Sequence, residues 1–146
     1  MDGDQIESGV WNLSERADKS PYLRPIRLRS KLSEMHRHKN IDFLVYEYSC
    51  NLRGHAIRVI GQLHTVISIW AIDNQVAFRS YAPKEIKLHA TGNGNANKNA
   101  MMLAAFKRWP KRYLKSRYWP SDEADARWLA DLAVQQLCPE PEIHHA

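Results

Sequence analysis

The sequence is poor in cysteine, which limits its metal and redox chemistry. Only Cys50 and Cys138 occur in 146 residues, and they form no Cys-x-x-Cys motif and no cluster with histidine. This spacing argues against a zinc site and favours two reduced thiols. Long apolar runs are also missing, since none approaches the ~20 residues that cross a bilayer, and no signal-like segment opens the chain. We therefore expect a cytoplasmic protein with no membrane association and no small-molecule cofactor.

Length and charge indicate one domain with an anionic partner. The 146 residues, 44% of them hydrophobic, suffice for a core, and we assign residues 1–138 to the domain and 139–146 to a flexible tail. A net charge of +5 and a pI near 9.3 suggest nucleic acid. Six cations cluster within eleven residues: Lys107, Arg108, Lys111, Arg112, Lys115 and Arg117. The aromatic residues between them favour a nucleic-acid surface, although a solvated basic loop anchored by aromatics explains them equally well.

Apolar periodicity predicts strands that alternate with helices. Strand composition marks residues 6–13, 41–49 and 76–81, and helical patterns mark residues 21–39, 52–70, a short piece from Pro83, and the last segment. The run at 41–49 is almost unbroken, so we expect a strand covered on both faces. A loop rich in glycine and asparagine, "TGNGNANKNA", leads into another helix. The alternation predicts an α/β fold with a partly parallel sheet.

Three acids gather at the start of the last helix, in "SDEADARWLADLA". Acids in a first turn are favoured by the helix dipole, and this capping role is one interpretation. However, Asp122 and Asp125 extend the stripe of Leu129 and Leu132, whereas Glu123 lies on another side. Carboxylates that point inward must be protonated, paired or bound to a cation. The stripe therefore predicts that Asp122 and Asp125 meet a positive charge or a metal.

Glu47 is a further candidate ligand, because it lies near the carboxyl end of an apolar strand, where working groups of α/β folds collect. An ion pair with a neighbouring Arg or Lys would explain it as well. If Glu47 instead meets the two Asp residues, the three carboxylates would repel one another without a cation. Oxygen ligands without Cys or His select Mg²⁺ or Mn²⁺.

Taken together, these motifs resemble a known nuclease family. "VYEY", "YAPKEIKLHATGNGNANKNAM" and "DEADARWLADLA" occur in the order found in RuvC-like Holliday junction resolvases, especially the short phage-type members, which have the ribonuclease H-like fold. The resemblance implies a mixed sheet flanked by helices. It also implies a homodimer that acts on branched DNA in recombination or repair, with Mg²⁺ as cofactor.

The resemblance assigns roles to individual residues. It implies metal ligation by Glu47, Asp122 and Asp125, and catalytic contacts from Lys87 and Lys98 to the scissile phosphate. The "TGNG" loop corresponds to the DNA-contacting loop of the family. The DNA-binding set therefore comprises Lys87, Thr91, Gly92, Asn93, Gly94, Asn95, Lys98, Lys107, Arg108, Lys111 and Arg112.

One departure from the family concerns the first strand. The family carries a catalytic Asp on a central strand ahead of the turn into "SGVW", whereas this chain opens at that turn, where Asp2 and Asp4 are poor substitutes. We therefore expect a sheet without its central strand and weak or absent cleavage by this chain. Three hypotheses follow: a metal-dependent endonuclease, a DNA-binding remnant without turnover, and an α/β domain whose acids are caps and ion pairs.

Overall fold

Helices and strands alternate from residue 23 to residue 81, and four consecutive helices follow in the part of the chain that the structure describes. The computed structural model describes residues 6–49, 52–115 and 118–137, with only the backbone at 113–115. Both cysteines, Asp2, Asp4, Arg117, the side chain of Lys115 and the proposed tail lie outside that description. The elements are α1 (Leu23–Lys39), β1 (Phe43–Glu47), α2 (His55–Asp73), β2 (Ala77–Tyr81), α3 (Pro83–Thr91), α4 (Lys98–Arg108), α5 (Pro110–Lys115) and α6 (Ser121–Leu137). This order confirms the predicted α/β class.

The two strands form a parallel pair. Phe43 lies opposite Ala77 and Glu47 opposite Tyr81, with α2 between the strands in the chain. The prediction that the first of these strands is covered on both faces is wrong, because Leu44 is buried whereas Phe43 is 38% exposed. Leu44 packs into a core with residues of α1 and α2. Within the described ranges the sheet has only these two strands, so each keeps one open edge.

Residues 6–13 do not form the predicted strand. A segment with strand-like composition forms a strand only where a neighbouring strand pairs with its backbone N–H and C=O groups. In the described part of the chain, β1 and β2 are the only paired strands. Instead, the Asn12 side chain accepts a hydrogen bond from the backbone N–H of Ser14 at 3.1 Å. Val10 and Trp11 are exposed. The absence of the family's first strand stays a prediction.

The α1 and α2 helices build the core beside the sheet. Leu28 and Leu32, four residues apart on α1, are buried, and Ser33 accepts a hydrogen bond from Trp70 Nε1 at 2.9 Å. The α2 helix begins at His55, three residues later than predicted, because Gly54 at φ +61° interrupts the helical backbone. Short-range patterns thus located both helices to within a few residues.

The chain divides into two compact units. The sheet unit comprises residues 11–82, and the helical unit comprises residues 1–10 and 83–146. In the helical unit α6 packs on α3 and α4. The assignment of residues 1–138 to one domain stays a prediction. None of the described helices is long and apolar enough to span a membrane.

Candidate nucleic-acid interface and metal centre

The start of α6 gathers the acids that the sequence singled out. Backbone N–H groups of Glu123 and Ala124 donate to the carbonyl of Pro120 at 3.1 and 3.2 Å, so the helix begins just after the proline. The first turn holds Asp122 and Glu123, where the helix dipole favours negative charge. The capping interpretation thus applies to part of this cluster.

Glu123, and not Asp122, is the acid that points into the protein. Its side chain is 3% exposed and receives two hydrogen bonds of 2.7 Å from Arg112, through Nε and Nη2. Ser8 Oγ donates to Glu123 Oε1 at 2.6 Å. The hydrogen bonds from Arg112 lower the pKa of the Glu123 carboxyl, against the effect of burial. The predicted orientation of this helix was therefore wrong: Asp122 is exposed and Asp125 half-buried, because Arg112 provides Glu123 with a buried counter-charge.

Arg127 is buried next to this salt bridge. Its Nε donates to Ser8 Oγ at 2.7 Å, and its guanidinium lies 5.6 Å from the ring centre of Trp109 and 5.7 Å from that of Trp119. Burial lowers the pKa of the Arg127 guanidinium, which stays charged. Within the described residues its Nη1 has no hydrogen-bond partner. The two aromatic faces therefore stabilise a buried cation that is incompletely hydrogen-bonded.

Asp125 lies among charged groups that the sequence had assigned to catalysis. Burial raises the pKa of the Asp125 carboxyl, and the Asp122 carboxylate raises it further. Lys98 and Lys87 act in the opposite direction on the same pKa. These interactions place Asp122, Asp125 and both lysines in one neighbourhood of the helical unit, although the lysines come from α4 and α3. Asp122, Lys98 and Lys87 thus all act electrostatically on Asp125, and the catalytic roles of these residues stay predictions.

Glu47 is the last residue of β1, as expected for a group at the carboxyl end of a parallel strand. It is half-buried and belongs to the sheet unit. Among the residues that the structure describes, no group of three or more His, Cys, Asp and Glu side chains is arranged to hold a metal ion. Convergence of Glu47 with Asp122 and Asp125 therefore stays a prediction.

The loop between α3 and α4 has a defined backbone. Thr91 Oγ1 donates to the carbonyl of Lys87 at 2.8 Å and accepts from the N–H of Asn93 at 3.1 Å, and Asn93 Oδ1 accepts from the N–H of Asn95 at 2.9 Å. Gly92 has a φ of +77°, which a side chain would strain. A Cβ on Gly94 would lie 2.8 Å from Lys84 Cγ. Both glycines are therefore required by local geometry.

The α4 helix follows this loop, and its first turn is capped. The Asn97 side chain accepts a hydrogen bond from the N–H of Ala100 at 2.9 Å. This cap fixes the start of α4 at Lys98, which is exposed. Lys98 therefore projects from a rigid helix end directly beside the loop.

Two arginines of the basic segment form salt bridges with acids of α6. Arg112 is bound to Glu123, and Arg108 Nη2 donates to Asp131 Oδ1 at 3.1 Å. Lys107 and Lys111 are exposed. Of the four cations of this segment that were predicted to contact DNA, the two arginines thus also hold α6 in place.

Sequence reasoning missed a polar cluster that joins α3, α4 and α6. Asp131 Oδ2 lies 2.8 Å from His89 Nε2, and Asp131 Oδ1 accepts a hydrogen bond from Arg108. His89 also packs edge-on against Trp128. The hydrogen bond between Ser8 and the buried Arg127 was missed as well. The only local signal was the i, i+4 spacing of Glu123 and Arg127, since the other partners are far apart in the chain.

The sequence of the chain is similar to those of known proteins. A family model described as crossover junction endodeoxyribonuclease RuvC matches residues 36–133. The crossover junction endodeoxyribonuclease RuvC of Brachyspira hyodysenteriae is 46% identical over 43 residues, or 30% of this chain and 27% of that protein. The aligned segment therefore spans about a quarter of that relative's length.

Solved structures agree on the fold. A Thermus thermophilus RuvC structure gives a TM-score of 0.64 at 17% identity, covering 84% of this chain and 74% of that one. T. thermophilus RuvC in complex with Holliday junction substrate gives 0.63 at 13% identity, covering 84% and 75%. Likeness at these identities establishes the fold alone, and it confirms the predicted ribonuclease H-like α/β class. Since the family model matches more than half of the 146 residues, the chain belongs to the RuvC family of crossover junction endodeoxyribonucleases.

Proposed function

We propose that this chain is a Mg²⁺-dependent, structure-selective endonuclease that hydrolyses phosphodiester bonds of Holliday junctions or other branched DNA in recombination, repair or phage DNA processing. Membership of the RuvC family supports the reaction class, and the junction-bound Thermus relative supports the substrate class. The observation that carries the proposal is the neighbourhood of Asp122, Asp125, Lys87 and Lys98 in the helical unit.

The donor chemistry of this neighbourhood fits part of a magnesium site. Asp125 is half-buried beside Asp122, and both effects raise the pKa of its carboxyl, so its ionised form is disfavoured without a cation. Oxygen ligands without sulfur or imidazole suit Mg²⁺ or Mn²⁺. A bound ion would neutralise developing charge on the reacting phosphate. In this proposal Asp122 and Asp125 hold the metal, with Glu47 as the third ligand.

The positive groups hold the DNA strand. Lys87 and Lys98 both interact electrostatically with Asp125, and in this proposal they contact the scissile phosphate. The loop of residues 91–95 would lie against adjacent phosphates, although the N–H groups of Asn93 and Asn95 are already hydrogen-bonded within the loop. Lys107 and Lys111 extend the contact along α4 and α5. Arg108 and Arg112 are engaged with acids of α6, so we assign them a supporting role in which they hold that helix in position.

A homodimer would allow the two symmetric nicks that junction resolution needs. The exposed side of α2 supports self-association because it has an uncharged stripe at i, i+4 and i+3 spacing: Ile57, Gly61, Thr65, Ile69 and Ile72. Three isoleucines on this stripe are between 52% and 65% exposed. We propose that the stripe packs against its copy in a second chain, with Gly61 allowing close helix approach. Ile69→Glu should give monomers in light scattering, whereas Leu103→Glu, at an exposed position of α4, should not.

The alternative is a DNA-binding remnant of the same fold that lacks turnover. The absence of a three-residue metal cluster among the described residues favours it. Cleavage of a labelled four-way junction in Mg²⁺ separates the two functions. The endonuclease predicts nicking that is lost in Asp122→Asn and Asp125→Asn and kept in the control Asp73→Asn at the end of α2. Salt-sensitive junction binding without nicking by the wild type would establish the remnant.

Metal binding is tested separately from activity. Mg²⁺ or Mn²⁺ should raise the Tm of the wild-type protein, because a ligand that binds only the folded state stabilises it. The increase should disappear in Asp125→Asn and remain in Asp73→Asn. Equal increases in all three proteins would place the metal elsewhere.

A further inference from the structure

The net positive charge of the chain lies in the sheet unit, whereas the proposed catalytic residues Lys87 and Lys98 lie in the helical unit. The sheet unit, residues 11–82, holds eleven Lys and Arg against six Asp and Glu, a net charge of +5. The helical unit holds ten of each. The whole net charge of +5 thus comes from the sheet unit. The cluster that dominates the sequence, around Lys107 and Arg112, is balanced by acids in its own unit.

Within the sheet unit the surplus lies on α1. This helix carries six Lys and Arg against a single acid, Glu34. Arg27 is tightly bound, through hydrogen bonds of 2.6 and 2.7 Å to both oxygens of Asp18. Lys31 lies 3.6 Å from Glu34, but both side chains are about half exposed, and such pairs contribute little. The remaining cations of α1 are exposed.

A pocket of about 350 Å³ lies at the start of this helix. Lys19 and Arg24 line it, together with the hydroxyl groups of Ser14 and Ser20 and the ring of His55. Two acids also line it. Asp18 is occupied by Arg27, and Glu15 is mostly exposed and lies 3.8 Å from that same guanidinium. With Arg27 included, three cations and two acids surround the pocket, so its net charge is +1, and this charge together with the hydroxyl groups suits a phosphate.

Helical spacing continues this site along α1. Seven residues separate Arg24 from Lys31, which is about two turns or ~10.5 Å, so the two side chains project from the same side of the helix. Arg37 lies thirteen residues after Arg24. This separation is not a whole number of helical turns, so the Arg37 side chain projects from a different side of the helix. The same helix therefore offers a control cation outside the row.

We propose that Lys19, Arg24 and Lys31 of the sheet unit form a second phosphate-binding surface, which contacts the DNA backbone. The inference rests on the proposed function, since it takes DNA as the ligand. The surface reads no bases and adds affinity through counterion release.

Salt titration of junction binding tests this surface. The assay is fluorescence anisotropy of a labelled four-way junction without divalent ions, across about 50 to 200 mM salt. Lys19→Gln, Arg24→Gln and Lys31→Gln should each reduce the slope of log K against log salt by ~0.9 for each phosphate that the variant no longer neutralises. Arg37→Gln should leave the slope unchanged. Circular dichroism of every variant excludes unfolding as the cause.

The outcomes separate this inference from the proposed function. The inference is overturned if the wild type binds and cuts junctions and the three variants have the same slope of log K against log salt as the wild type. The surface would then be solvated or would bind an acidic protein. A decrease in Arg37→Gln equal to that in Arg24→Gln would also overturn it, because the effect would then be general charge. If the wild type neither binds nor cuts, the proposed function itself fails. Inorganic phosphate should compete with the junction only at millimolar concentrations; tight competition would indicate a free-phosphate site instead.

Discussion

Arg112 and Glu123 form a two-point salt bridge in the helical unit, with Nε to Oε1 and Nη2 to Oε2 both at 2.7 Å. The carboxylate is 3% exposed and the guanidinium 18%. This geometry links α5 to the first turn of α6, which carries Asp122 and directly precedes the turn with Asp125. A cation that resembles a DNA contact in the sequence thus positions the candidate metal ligands.

Breaking this salt bridge should destabilise the protein strongly. Arg112→Gln leaves Glu123 buried without its counter-charge, and removing one partner of a buried pair costs ~3–5 kcal/mol. Urea unfolding of Arg112→Gln against Lys111→Gln, an exposed neighbour, measures the difference. The double variant Arg112→Met with Glu123→Leu should recover much of the stability. Equal stability of Arg112→Gln and Lys111→Gln would show that the pair contributes little.

The salt bridge of Asp18 with Arg27 should make stability depend on acid pH. The hydrogen bonds from Arg27 lower the pKa of Asp18 from its ordinary 3.8 to about 2. Since the unfolded state binds more protons between these values, the stabilisation is complete above pH ~4 and is lost as the pH falls through ~2. Asp18→Asn should therefore lose stability at pH 7, and its difference from wild type should vanish near pH ~2. Urea unfolding at several pH values measures this, and a difference that persists at the acid end would contradict it.

Asp125 should lower the stability of the folded protein when no metal is bound. Burial and Asp122 raise the pKa of its carboxyl, so the folded state is penalised above the folded pKa and the penalty disappears as the pH falls below the ordinary 3.8. Asp125→Asn should raise the Tm at pH 7 without divalent ions by ~2–4 °C, as expected of a residue kept for function. Asp131→Asn should instead lower the Tm, since Asp131 contacts both His89 and Arg108. A fall in the Tm of Asp125→Asn would show that Lys87 and Lys98 outweigh the penalty.

The glycines of the chain should differ in their response to alanine. Gly92→Ala places a side chain at φ +77° and should cost ~1–2 kcal/mol. Gly61 lies inside α2 with nothing within 4 Å of an added Cβ, so Gly61→Ala should stabilise the monomer by ~0.5–1 kcal/mol. Thermal unfolding at low concentration compares the two. Loss of stability in Gly61→Ala that grows with protein concentration would support close helix packing in a dimer.

The sequence by itself determined the order of α1, β1, α2, β2, α3, α4 and α6, because each depends on patterns within a few residues. The strand at 6–13 was predicted but does not form, and α5 was not predicted. The periods of α1 and α2, the strand at Phe43 and the glycines of the loop before α4 were all visible locally. The motif order also predicted the family.

Only the tertiary structure decided which charged groups are used inside the protein. The helical stripe suggested that Asp122 faces the core, but Arg112 and Ser8 select Glu123, and Ser8 lies 115 residues away in the chain. Residues 6–13 have strand composition, yet a strand forms only where another strand offers hydrogen bonds. The periodicity of apolar residues indicates which face of its own helix or strand a residue occupies. Ionic and hydrogen-bonding partners from distant segments of the chain decide which side chains are buried and which remain exposed.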